Sequence, residues 1–216
     1  MCKAKHVLSV AITLILISLT IPAAAFATIY DYDYGRTRDL TYADDGVYYA
    51  DRAWSGLGFA YESHVGSTFT ESRAKANLPL GNGFYVYTHG NADAFLDNNA
   101  SNPPTSYSNP GVLTRADVTG ARAGDWKRLV FLDFCNSSDD ARWASAFGIA
   151  YGDGYSHASL GWTGTALDNA TYSSFDNWFW WSVQNYSTIS ASANYAAYRA
   201  GGATNWLLYG NGLWHY

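Results

Sequence analysis

The sequence predicts one α/β domain with a mostly parallel central sheet that is covered by helices on both faces. Stretches rich in Gly, Asn and Ser divide the 216-residue chain at intervals that suit alternating strands and helices. Two segments, 83–88 and 128–134, are runs rich in apolar and aromatic residues. Such runs are typical of strands that are buried on both faces, as in parallel sheets. A chain of this length suits a single domain with a sizeable core.

The first 27 residues predict an export signal. Two lysines precede an uncharged apolar run at 7–21, which is too short to favour a membrane span and is followed at once by Pro22. Residues 25–27, Ala-Phe-Ala, match the small-x-small pattern that a signal peptidase cleaves. We expect cleavage after Ala27, which leaves 28–216 as a secreted or cell-surface domain with no stable membrane span. The alternative is an uncleaved N-terminal anchor.

The elements near the first buried run follow from local signals. Gly56 and Gly58 suit a helix end. Thr70 suits the start of a later helix, and Pro79 lies beyond the end of that helix. In chain order, the pattern predicts a strand at 29–34, a helix at 45–57, a strand at 59–65 and a helix at 70–77.

The second half of the chain alternates in the same way. A polar loop rich in Pro, Asn and Ser, at 91–110, separates the two buried strands. Gly201 and Gly202 end the last predicted helix. After the second buried strand, the pattern predicts a helix from 138–140 to 147, a strand at 158–162, helices at 172–186 and 188–200, and a strand at 205–209 that closes the sheet.

Charge argues against one class of partner. The formal net charge is −5, and removal of Lys3 and Lys5 with the signal would make it −7. A nucleic-acid-binding domain needs a basic stripe, so we expect no nucleic-acid partner, and a cationic substrate would be attracted. Phe, Trp and Tyr make up 17% of the chain, a density that suits a compact core and also a carbohydrate-binding surface.

Cys135 would be the only cysteine left after export. A single cysteine in an exported protein is an intermolecular partner, an inert buried side chain or a reactive thiol. Its position favours the last of these. Cys135 directly follows the second buried strand, as His89 follows the first. Because ligands bind at the carboxyl ends of such strands, we expect the imidazole and the thiol to meet at one edge of the sheet.

This pair predicts nucleophilic catalysis. A thiol attacks a carbonyl group as the thiolate, and a nearby imidazole is a natural acceptor for its proton. Gly90 and Cys135 would supply backbone N–H groups for an oxyanion hole, where one donor is worth about 3–4 kcal/mol in the transition state. The sequence has no His-Glu-x-x-His and no Cys-x-x-Cys pattern, so we expect no metal and no cofactor.

The two patterns, strand-His-Gly and strand-Asp-x-Cys-x-Ser, resemble those of caspase-like cysteine peptidases, which include metacaspases and clostripain-like and gingipain-like enzymes. His89 lies 46 residues before Cys135, near the spacing of about 50 in caspases. The resemblance implies a caspase-like three-layer αβα sandwich in residues 28–216. It also implies a secreted endopeptidase that cleaves a protein or peptide substrate.

A specificity pocket is implied by the same resemblance. In metacaspase-like enzymes, the acid two residues before the nucleophile selects Arg or Lys at the P1 position, and here that acid is Asp133. Trp162 is expected on the wall of this pocket. Tyr87 stands where metacaspases have a small Ser, and it would narrow the pocket. Asn136 replaces the His of the metacaspase motif.

An alternative interpretation keeps the same fold but assigns it no catalytic activity. An inactive caspase-like domain would then serve as a secreted binding module for glycans or cell-surface polymers. The aromatic composition favours this reading, which requires nothing of Cys135. The oligomeric state stays open.

Overall fold

The computed structural model describes residues 30–122, 127–150 and 154–216. The expected signal segment and its cleavage site lie outside the described residues. Within the described ranges, no helix is both long and apolar enough to cross a membrane.

A central sheet of six strands organises the described residues. The strands are β1 (Tyr30–Gly35), β2 (Ala60–Val65), β3 (Gly83–Tyr87), β4 (Ala94–Leu96), β5 (Val112–Thr114), β6 (Leu129–Asp133), β7 (Ala158–Trp162) and β8 (Trp206–Gly210). The sheet has the order β2-β1-β3-β6-β7-β8. All neighbouring strands from β2 to β7 are parallel, and β8 is antiparallel to β7. The predicted mostly parallel sheet is therefore confirmed.

Helices cover both faces of this sheet. They are α1 (Ala43–Leu57), α2 (Glu71–Asn77), α3 (Arg115–Ala121), α4 (Arg142–Ala146), α5 (Ala170–Gln184) and α6 (Ile189–Ala200). One hydrophobic core joins α1, α5 and α6 to the sheet, and a second core joins α2, α3 and α4 to its other face. This arrangement is the predicted three-layer α/β sandwich.

Side chains along each strand alternate between the two cores. In β3, Tyr85 and Tyr87 belong to the core under α1, α5 and α6, whereas Phe84 and Val86 belong to the core under α2, α3 and α4. Successive side chains of a strand point to opposite faces, so a strand covered on both sides needs apolar residues at every position. This requirement explains the continuous apolar runs in the sequence.

Helix ends follow the expected signals at several places. The Thr70 hydroxyl accepts a hydrogen bond from the Arg73 N–H at 3.3 Å, and Gly201 adopts a left-handed conformation with φ 70° at the end of α6. The helix expected from 138–140 is shorter and begins at Arg142. Ser137 and Ser138 before it are buried in turns that follow β6, so this stretch is not available to a helix.

Two features of the topology are not predicted by the sequence patterns. β4 and β5 form a separate antiparallel pair, and β8 runs against its neighbour. β4 and β5 have only three residues each and are separated by a polar loop, so the sequence pattern does not indicate that they pair.

Candidate active site

The ends of β3 and β6 lie side by side at one edge of the sheet. Tyr87 pairs with Asp133 in the parallel register, and the Thr88 N–H donates to the Asp133 carbonyl oxygen at 3.1 Å. His89 and Cys135 lie two residues beyond the ends of β3 and β6, and both line one pocket. The pocket is lined by Leu40, Tyr87, Thr88, His89, Asp133, Cys135, Ala166, Leu167 and Asp168.

The imidazole of His89 is partly exposed and faces a carboxylate. Its Nε2 atom lies 3.4 Å from Asp39 Oδ1. Burial lowers the pKa of His89, and the negative charge of Asp39 opposes this effect. A neutral imidazole at pH 7 is the form that accepts a proton from a thiol.

Asp39 is held in place by a buried guanidinium. Arg36 donates from Nε to Asp39 Oδ1 at 2.7 Å and from Nη2 to Asp39 Oδ2 at 2.9 Å. The same guanidinium donates to the carbonyl oxygens of Asp97 and Ala100, so its orientation is set from two directions. The hydrogen bonds from Arg36 hold the pKa of Asp39 below its ordinary value. Sequence reasoning missed this acid, whose only signal is a charged cluster directly after β1.

Cys135 lies at the first position of a tight turn. Its thiol donates a weak hydrogen bond to the Ala166 carbonyl oxygen, with Sγ and O 3.5 Å apart. Asn136 has a left-handed backbone with φ 58°, a conformation that Asn tolerates better than most residues. The Asn136 N–H donates to the Gly164 carbonyl oxygen at 2.6 Å, which ties this turn to the segment after β7.

Gly90 is required by packing as well as by the expected chemistry. A Cβ atom at this position would lie 2.8 Å from Phe134 Cγ and 3.0 Å from the Ala94 carbonyl oxygen. The hydrogen bonds on either side of Gly90, from the Asn91 and Leu96 N–H groups, join this residue to β4. The role of its N–H group in an oxyanion hole stays a prediction.

Asp133 is buried beside the pocket, and its carboxyl group has hydrogen-bond partners within the core. Its Oδ1 accepts a hydrogen bond from Trp162 Nε1 at 2.6 Å, and its Oδ2 lies 3.4 Å from the Tyr85 hydroxyl. Burial raises the pKa of Asp133 to about 6, although hydrogen bonds from Asp176, Trp162 and Tyr85 limit the rise. Trp162 was expected on the pocket wall. Instead it is fully buried and positions the carboxyl group of Asp133.

Asp168 brings a second carboxylate to the pocket. Its Oδ2 accepts from the Thr41 N–H at 2.6 Å, and its Oδ1 accepts from the Tyr42 N–H and from the Tyr87 hydroxyl, both at 3.0 Å. Thr41 and Tyr42 immediately precede α1, so the Asp168 carboxylate lies at the N-terminal end of that helix. Tyr87 lines the pocket as expected, but its hydroxyl is engaged by Asp168. From the sequence, Asp168 is expected to be an acid in a loop that could help to orient a substrate.

The described residues contain no group of three His, Cys, Asp or Glu side chains that could hold a metal ion. The pocket lining includes the thiol of Cys135, the imidazole of His89 and the carboxyl groups of Asp133 and Asp168.

Comparison with known proteins adds a likeness of fold. No family model and no curated protein matches the sequence. The structure is similar to the crystal structure of protein GSU0716 from Geobacter sulfurreducens, a Northeast Structural Genomics target. The match has a TM-score of 0.50 at 14% sequence identity, and it covers 85% of this chain and 93% of that chain.

Proposed function

We propose that this protein is a secreted cysteine endopeptidase of the caspase-like kind. The observation that carries the proposal is that His89 and Cys135, which follow two adjacent parallel strands, line the same pocket. An imidazole and a thiol that line the same pocket are the two groups that this form of nucleophilic catalysis requires.

The proposed reaction uses groups already present at the pocket. His89 takes the proton of the Cys135 thiol, and the thiolate attacks the scissile carbonyl group. The N–H groups of Gly90 and Cys135 hold the oxyanion, and His89 then protonates the leaving amine. A water molecule, activated by His89, hydrolyses the acyl-enzyme. Asp39 orients the imidazole and stabilises its protonated form.

Two carboxylates support a preference for a cationic P1 side chain. Asp133 lies at one side of the pocket, and Asp168 lines the same space. Arg and Lys side chains form charge-assisted hydrogen bonds with carboxylates, which are stronger than hydrogen bonds between neutral groups. Substrates cleaved after Arg or Lys therefore fit this pocket better than substrates with an acidic P1 residue.

Labelling of the thiol tests the proposed nucleophile. Iodoacetamide should alkylate Cys135 in the folded mature protein about tenfold faster than it alkylates a small model thiol at pH 7, because His89 would accept the proton of the thiol as it attacks. The rate is measured by mass spectrometry. His89→Ala should reduce it towards the rate of the model thiol. A folded wild-type protein that reacts no faster than the model thiol would rule out an activated nucleophile.

One observation favours the alternative function. Trp178 and Trp181 on α5 are partly exposed and pack with Tyr195 on α6, while the Arg199 guanidinium lies 3.7 Å from the centre of the Trp178 ring. Exposed rings of this kind suit binding of glycans or cell-surface polymers. The labelling experiment separates the two functions, because a binding module requires no reactivity of Cys135.

A further inference from the structure

Asp133 does not stand alone under the pocket. Asp176 on α5 is fully buried close to it, and both carboxyl groups lie within hydrogen-bond distance of the same hydroxyl group. The Tyr85 hydroxyl lies between them, 3.4 Å from Asp133 Oδ2 and 3.2 Å from Asp176 Oδ2. Three polar groups from β3, β6 and α5 therefore meet within the core that underlies the pocket.

The chemistry of this contact requires a shared proton. Two ionised carboxylates only accept hydrogen bonds, so they cannot bond to each other. The single proton of the Tyr85 hydroxyl serves one carboxyl group at a time. We expect two buried carboxyl groups that share one hydroxyl donor to hold one proton between them, as in pairs where like charges prevent the second ionisation.

The surroundings favour Asp133 as the ionised member. Asp133 receives the indole N–H of Trp162 at 2.6 Å, whereas Asp176 Oδ1 is buried and receives no hydrogen bond from an N–H or O–H group of the described residues. An ionised carboxylate is costly to bury without donors. Burial and the charge of Asp133 accordingly raise the pKa of Asp176 well above its ordinary value.

Other titratable groups act on the pair from several elements. Asp168, from the loop before α5, raises the pKa of Asp133 by its negative charge. The negative charge of the pair contributes to the raised pKa of four tyrosines on α1, β3 and α5. These are Tyr49, Tyr85, Tyr87 and Tyr172. Negative neighbours and burial both favour retention of the shared proton, so these groups raise the pKa of the pair and do not lower it.

We propose that Asp176 is a positioning residue for substrate specificity, which shares one proton with Asp133 and makes selection of a cationic side chain dependent on pH. This inference rests on the proposed function in its assignment of the pocket to the P1 side chain. The protonated Asp176 donates its hydrogen bond to the Asp133 carboxylate and stabilises the charged form. Above about pH 6 the pocket then presents the Asp133 charge, and below that value the pair becomes neutral.

Benzamidine is a suitable probe, since its amidinium group carries the charge of an Arg side chain and its binding needs no catalysis. Titration calorimetry of the mature protein should show tighter binding as the pH rises from 5 to 7.5, with little change for uncharged benzamide. Asp176→Leu removes the donor, so Asp133 should ionise only at higher pH. For each pH unit of that shift, affinity at pH 6.5 should fall by about tenfold.

Two further variants separate positioning from general damage to the fold. Asp176→Asn keeps an N–H donor towards Asp133 and should restore binding at pH 6.5. Asp133→Asn should remove most of the pH dependence. Infrared difference spectra of the wild type at pH 7.5 should contain a band of a protonated carboxyl group that Asp176→Asn lacks, a measurement that does not depend on whether Asp176→Leu folds.

The outcomes are distinct from those of the peptidase test. A wild-type spectrum with no protonated carboxyl band beyond those that Asp176→Asn retains overturns the shared proton. Benzamidine binding that does not vary with pH, or that is equal in the wild type and Asp176→Leu at pH 6.5, overturns the specificity role. A chain that shows the band and pH-dependent binding but cleaves no peptide would retain the pair while the proposed endopeptidase fails.

Discussion

At the scale of single residues, the contact between Asp39 and His89 places a fixed carboxylate beside the imidazole that we propose as the general base. Asp39 accepts two hydrogen bonds from Arg36, and Arg36 is fully buried. Fixing the carboxylate in this way removes its freedom to turn towards solvent, so its charge acts on His89 continuously. Burial alone would lower the pKa of the imidazole further, and Asp39 limits this loss.

Replacement of this acid tests its role. Asp39→Asn keeps the shape of the side chain but removes the charge, so the pKa of His89 should fall and the imidazolium form should be less stable. We expect kcat to decrease by about tenfold or more, which is part of the rate contribution that a positioned general base makes. The acidic limb of the kcat/KM profile should move to lower pH. The measurement is hydrolysis of an Arg-containing fluorogenic peptide between pH 5 and 8.

Asp140→Asn is the matched control. Asp140 also pairs with an arginine, Arg142, but this pair does not line the pocket. The control should keep the wild-type rate and profile. An Asp39→Asn variant whose profile coincides with that of the wild type would contradict the orienting role.

At the scale of elements, the turn after β3 depends on its fit against the turn after β6. Gly90 follows His89 and packs under the ring of Phe134, which precedes Cys135. The two turns that present the imidazole and the thiol are thus in direct contact. A change in either turn would alter the separation of the imidazole and the thiol.

Gly90→Ala tests this packing. The new methyl group would overlap the Phe134 ring and the Ala94 carbonyl oxygen, and overpacking of this kind costs about 1–3 kcal/mol. The free energy of unfolding, measured in urea, should fall by that amount, and the thiol should be alkylated more slowly.

A second glycine provides the control. A Cβ atom at Gly120, within α3, would meet no atom within 4 Å. Gly120→Ala should leave the stability unchanged or raise it by about 0.5–1 kcal/mol, because Ala favours a helix. Equal stability of the Gly90→Ala and Gly120→Ala variants would show that the two turns are not tightly packed.

At the scale of the whole molecule, buried carboxyl groups make stability depend on pH. Asp31, Asp33, Asp133 and Asp176 are all buried. Burial raises the pKa of Asp31 to about 7 and that of Asp133 to about 6, and it raises those of Asp33 and Asp176 well above the ordinary value. The folded protein therefore binds protons that the unfolded chain has already released.

The sign of the pH dependence follows from linkage. Because the folded state holds more protons than the unfolded state between about pH 4 and 7, the free energy of unfolding should decrease as the pH rises through this window. The lowered pKa values of His64 and His89 act in the opposite direction below about pH 6.5, and their shifts are smaller. We expect a Tm about 5 °C higher at pH 5 than at pH 8, measured by calorimetry.

Asp31→Asn should make this difference smaller, since the amide does not titrate. Both carboxyl oxygens of Asp31 are buried without a hydrogen-bond donor among the described side chains. The replacement should therefore stabilise the protein most at pH 8. A Tm that is equal or lower at pH 5 in the wild type would refute the assignment of these acids as protonated in the folded state.

Much of the architecture could be predicted from local patterns. The strand over 158–162 has the predicted bounds, and Thr188 and Gly201 mark the ends of α6. The hairpin of β4 and β5 could not be predicted, because two strands of three residues bury too little apolar surface to leave a pattern. The antiparallel direction of β8 depends on the path of the chain after α6, which the residues of the strand do not encode.

The sequence by itself determined that His89 and Cys135 follow two buried strands, since periodicity and apolar runs specify strands and parallel pairing aligns their ends. Only the tertiary structure decided which acids serve the pocket. Asp39 comes from the loop after β1, Asp168 reaches the start of α1 across 127 residues of sequence, and Asp176 comes from a helix on the face of the sheet. Their partners are set by the packing of distant segments, whose geometry no local pattern contains.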